Sequence, residues 1–86
     1  MTHTIKLNER FCNAVYDGRK TFEIRLNDRG YQTGDLVKFI PIFDDMDKKY
    51  SHPIMNKTYE ITYVLSGWGL EKDYVVFSIK EINNDG

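Results

Sequence analysis

The segment Gly18-Arg19-Lys20-Thr21-Phe22-Glu23-Ile24-Arg25 places a lysine, a glutamate and an arginine close together just after a glycine. Arginine presents a planar fork of donors, lysine a point charge, and glutamate an acceptor for an amino group or a base. Together they suit a grip on a polar or anionic ligand. On an open strand face, by contrast, a Glu23–Arg25 pair would contribute less than about 1 kcal/mol. The neighbourhood is basic: between Gly18 and Tyr31, Arg19, Lys20, Arg25 and Arg29 outnumber Glu23 and Asp28, and Lys6 and Arg10 stand just upstream. Neutralising about three phosphates of a single strand would give a log–log salt slope of about −2. Trp68 lies between Gly67 and Gly69. Its indole is either offered for base stacking, worth roughly 1–3 kcal/mol per base, or folded back over the end of the sheet. Tyr31 and Tyr74 are lesser stacking candidates.

Other chemistry finds little footing. His3, His52 and Cys12 lack metal-ligand spacing. Asp44, Asp45 and Asp47 lack the glycine and distal glutamate of a calcium loop. No glycine-rich phosphate loop is present, so neither a metal nor a cofactor is expected. Cys12 reads as a small packing residue. His3 would lend a donor to the motif if the first strand ran beside the motif strand.

Strands and one helix must position these groups. Thr4-Ile5-Lys6-Leu7 alternates as a half-buried strand does. Asn8 is a good N-cap, Phe11, Ala14 and Val15 form an apolar stripe, and Gly18 stands where a left-handed residue closes a short helix. In Thr21–Leu26, Phe22, Ile24 and Leu26 share one face and Thr21, Glu23 and Arg25 the other. Turns at 27–30 and 33–35 lead to a strand from Leu36 to Phe43, where Pro41 argues for an edge or a bulge. A polar loop occupies 44–53. Strands follow over 57–65, with Tyr59, Ile61, Tyr63 and Leu65 on one face, and over 74–82, with Val75, Phe77 and Ile79 inward. Residues 83–86 read as a frayed tail. The order predicts an α+β, β-dominant fold: a small, mostly antiparallel barrel with one short N-terminal helix.

Size and charge narrow the function. Eighty-six residues make one domain, 1–86, too small for a two-domain enzyme or a Rossmann unit. Aromatic residues, 14% of the chain, supply the large side chains a small core needs. A net charge of −1 excludes a global polycation but not a local basic patch. One cysteine, no apolar run of signal-peptide length and none of membrane-spanning length point to a cytoplasmic protein without a membrane partner.

Gly18-x-Lys20-x-x-Glu23-x-Arg25 resembles the signature of the ASCH domain, named for homology to an activating signal cointegrator, within the PUA-like superfamily. The resemblance extends to His3–Leu7, Asn27–Tyr31, Gly34-Asp35, Ile61–Leu65, Gly69-Leu70 and Tyr74–Val76, and so covers nearly the whole chain. In this order the blocks look like a subfamily of small bacterial and phage proteins. The resemblance implies a PUA-like barrel with a cleft beside the helix and an RNA-binding role. One ASCH branch hydrolyses an acylated cytidine with a lysine, a threonine and a later glutamate. The lysine carries over to Lys20, but Glu23 stands where those enzymes have threonine. Glu60 is a candidate for the later glutamate, and Thr21 is a nearby hydroxyl. The expectation is therefore an RNA-binding module using Lys20, Glu23 and Arg25, with Arg29 on phosphate and Trp68 stacking. The alternative is a nucleoside hydrolase in which Lys20 is base or electrostatic stabiliser and Glu23 the proton carrier. A third reading docks another protein through an edge near Pro41 and the acidic loop after it.

Overall fold

The computed structural model describes residues 1–43 and 48–82. Asp44, Asp45 and Asp47 of the acidic loop and the tail 83–86 lie outside the described residues. Strand β1, Thr2–Asn8, alternates as expected and buries His3, Ile5 and Leu7. Helix α1, Glu9–Tyr16, begins where the Asn8 side chain accepts the Arg10 amide at 3.0 Å. It ends at Gly18, whose φ of +83° glycine adopts without strain. Its buried face is Cys12 and Val15, while Phe11 turns to the flank and stays partly exposed. Cys12 is thus the packing residue expected, and burial pushes its thiol pKa up.

The remaining strands are β2 (Phe22–Leu26), β3 (Leu36–Phe43), β4 (Lys48–Lys49), β5 (Thr58–Ser66) and β6 (Tyr74–Ile82). A 3-10 turn, Pro53–Asn56, precedes β5, and His52 caps it by accepting the Ile54 amide. Lys48–Lys49 and this turn are order that the polar composition of 44–53 does not announce. The sheet runs β1-β3-β5-β6-β2, with β4 added to β3. Among the described residues, only the β1–β3 ladder is parallel. The protein is α+β and β-dominant. The sheet does not close by pairing into the expected barrel, because β1 and β2 end it without a ladder between them.

Two local expectations fail for physical reasons. Strand β3 is interior rather than an edge: β1 flanks it along its length, and β5 pairs only with Leu36 and Val37. Pro41 therefore gives up no hydrogen bond to β5. In β5 the register slips between Ile61 and Tyr63, which inserts Thr62 as a bulge. Parity inverts beyond it, so Tyr63 is 64% exposed and Val64 packs on the core instead. Tyr59 and Ile61, before the bulge, are buried as expected, as are Val75, Phe77 and Ile79. Each such side chain contributes about 1.5–3 kcal/mol by burial. Tyr31 joins this core, 4.7 Å from the Phe77 ring and 4.8 Å from that of His3, which removes it from the stacking candidates.

Candidate functional site

Strand β2 is the last strand of the sheet, and its register decides which side chains face inward. Glu23 lies opposite Phe77 and Arg25 opposite Val75, so both share the core side of the sheet. Phe22, Ile24 and Leu26 take the outer side beside Ser78, Val76 and Tyr74. The expected parity holds, with the polar face inward: Glu23 is 2% exposed, whereas Phe22 is 43% and Ile24 53%. A solvated Glu23–Arg25 rim is therefore not what the motif forms.

A carboxylate so deeply buried needs partners, and the motif supplies them. Lys20 donates to Glu23 Oε2 and, at 2.7 Å, to the Phe22 carbonyl. Arg25 donates to Glu23 Oε1 through Nε at 3.0 Å and Nη2 at 2.7 Å. The same Nη2 reaches across to the Lys6 carbonyl of β1 at 2.6 Å. Arg25 is thus the stitch across the seam that strand pairing leaves open. The helix end sets up the lysine, for the amides of Arg19 and Lys20 both bond the Ala14 carbonyl at 2.9 Å. The Lys20 ammonium then lies 5.3 Å from the Phe11 ring and 4.8 Å from that of Phe22, a cation–π arrangement.

Around this triad lies a cleft of about 560 Å³, within the range of small-ligand sites. Phe11, Phe22, Ile24 and Ile42 give it apolar walls, and Lys6 stands at its rim. Two cations against one carboxylate leave the triad at +1. A lysine has three donors and an arginine five, so one Lys20 hydrogen and the Arg25 Nη1 group stay unused within the triad. The arrangement suits an anionic or carbonyl-bearing ligand with a flat apolar part. No cluster of metal ligands occurs among the described residues.

The structure brings Lys20, Glu23 and Arg25 together and separates the other candidates. Arg29 lines an adjoining depression with Tyr31 and Asp28. Trp68 is 89% exposed on the turn between β5 and β6, with its backbone at φ +52° between two left-handed glycines. It is not folded over the sheet, nor does it line the cleft. Tyr74 sits beside Leu26 at the far end of β2. Glu60 lies mid-sheet between Leu36 and Lys80, away from Lys20, and Thr21 opens to a different depression. His3 runs beside β3 rather than β2, so it lends nothing to the cleft; its Nε2 meets Asp35 Oδ2 at 2.8 Å. That hydrogen bond holds the Asp35 carboxyl below its ordinary pKa. Phe11, Phe22 and Ile42 escaped the sequence reading as site residues. The signal available was the direct neighbourhood of Phe22 to Lys20 and the position of Phe11 on the helix stripe.

Residues 2–79 match the family described as a domain of unknown function (DUF3850), and the chain belongs to that family. No curated protein matches it in sequence. Among the described residues, no helix is long and apolar enough to cross a membrane.

Proposed function

We propose that this protein binds nucleic acid, RNA rather than DNA, in the cleft along the β1–β2 seam. The observation that carries the reading is the buried Glu23 holding Lys20 and Arg25 beside two phenylalanine rings. Glu23 aims the cations, whose remaining donors take phosphate or a base carbonyl. Phe22 and Phe11 supply apolar faces for a base, a contact worth roughly 1–3 kcal/mol. The likeness of Gly18-x-Lys20-x-x-Glu23-x-Arg25 to the ASCH signature supports RNA as the ligand. On this reading the domain is PUA-like, with the Arg25–Lys6 contact standing in for the last ladder of its barrel, and it works in the cytoplasm.

Hydrolysis of a modified nucleoside has less support. Glu23 is shared by two cations, and Thr21, the hydroxyl next to Lys20, borders the depression on the far side of Lys20 rather than the cleft that holds Glu23. The test is fluorescence polarisation with short RNAs at two salt concentrations. Lys20→Ala and Arg25→Ala should each weaken binding about ten- to hundredfold in folded protein, the scale of one charged hydrogen bond, about 1.5–3 kcal/mol. Unchanged affinity in both variants would overturn the assignment.

A further inference from the structure

The cleft is the middle of a longer feature. A depression of about 430 Å³ shares Lys20 with it and opens past Thr21 to Lys57 and Lys80. The buried Tyr59, whose hydroxyl has no hydrogen-bond partner among the described residues, also borders this depression. Another, of about 330 Å³, shares Lys6 and Arg25 with the cleft and reaches Arg29. The three therefore follow the chain from Lys20 to Arg29, with β2 at the centre. From Phe22 to Leu26 that strand spans about 13 Å at about 3.3 Å per residue, the length of about four stacked nucleotides at about 3.4 Å each.

Charge along this path is arranged for a chain of phosphates. The side chains of Lys80 and Arg29, at its two ends, make no hydrogen bond or ion pair among the described residues. Of the bordering carboxylates, Asp17 is held by Arg19, Glu23 by Lys20 and Arg25, and Glu81 by Lys57. Asp28 is the one left without an ion pair among the described residues. Between the end cations stand the exposed side chains of Phe22 and Ile24, which the bases of a duplex, turned inward, cannot reach and those of a single strand can.

We infer that the three depressions form one track for a single strand of about four nucleotides running along β2, with Lys80 and Arg29 each holding a phosphate at its ends. The inference rests on the nucleic-acid reading of the cleft and extends it in ligand class and length. An extended peptide could also add to an end strand. Cations repeated along the path with carboxylates mostly neutralised favour a polyanion instead.

The experiment is a competition titration, by fluorescence polarisation, with random-sequence RNA pools of two, four and eight nucleotides and a duplex of eight pairs. Affinity should rise about tenfold from two to four nucleotides, change less than about threefold from four to eight, and be weaker for the duplex. Lys80→Ala and Arg29→Ala should each weaken the four-nucleotide pool about three- to tenfold and flatten the salt slope by about 0.7, leaving the two-nucleotide pool unaffected. Equal affinity for two and four nucleotides, with Lys80→Ala and Arg29→Ala silent and Lys20→Ala still damaging, would confine the ligand to the cleft and overturn the track alone. A duplex preference would also overturn the track. Binding of no pool by the wild-type protein, or displacement of RNA by an extended peptide but by no unlabelled RNA, would overturn the track and the nucleic-acid reading together.

Discussion

At the scale of the residue, Glu23 is the anchor of the site and not its point of contact. Its two oxygens are taken up by Lys20 and Arg25, so its work is to fix where those cations stand. Replacing it with alanine leaves two positive groups side by side with no counter-charge. Breaking a fully buried pair costs about 3–5 kcal/mol. Here the Lys20 and Arg25 side chains retain 18% and 25% of their exposure and can partly rehydrate. Glu23→Ala is therefore expected to destabilise by about 2–3 kcal/mol, and Glu23→Gln, which keeps one acceptor oxygen, by less. Urea denaturation would rank wild type above glutamine above alanine; wild-type stability in Glu23→Ala would remove Glu23 as the anchor. The spacing of the triad was legible in the sequence, because alternation places Glu23 and Arg25 on one face whatever the fold. Which face turns inward was not legible. An apolar trio such as Phe22, Ile24 and Leu26 ordinarily claims the core, and only the register against β6 reverses that.

At the scale of the element, the strands are joined by side chains as well as by ladders. His3 of β1 and Asp35, just before β3, form a 2.8 Å contact that fixes the start of the parallel pair, and Asp35 also accepts the Gln32 amide at 3.1 Å. The His3 hydrogen bond, with the Gln32 amide and the N-terminal charge assisting, lowers the Asp35 pKa from 3.8. A carboxyl whose folded value lies below its unfolded value contributes stability that is complete above the unfolded value and is lost as pH falls through the folded one. Stability should accordingly decline below about pH 4, and Asp35→Asn should flatten that decline while lowering the plateau at neutral pH. Urea midpoints measured from neutral to strongly acid pH would check this; an unaltered acid slope in Asp35→Asn would assign the decline elsewhere. Strand positions were largely readable from alternation and turn chemistry. The failures came from contacts distant in sequence: a bulge in β5 that inverts Tyr63, and an early end to the β3–β5 ladder that lets Pro41 sit inside the sheet.

At the scale of the whole molecule, the function proposed depends on a sheet that curls without closing. Its two end strands approach each other, Arg25 bridges them through the Lys6 carbonyl, and the gap remaining becomes the cleft. No sequence pattern gives the distance between two end strands, and this is why Phe11 and Ile42, from other elements, could not be assigned to the site in advance. The near-neutral net charge of −1 is compatible with this arrangement, because the cations are concentrated along one seam. The most direct measurement is an NMR titration of isotope-labelled protein with a four-nucleotide single-stranded RNA pool. Saturable amide shifts concentrated at Lys6, Phe11, Lys20 and Phe22–Arg25, with Tyr63 and Trp68 unmoved, would place the ligand in the seam as proposed. Shifts centred on the β5–β6 turn around Trp68, or none at any RNA concentration, would contradict the account.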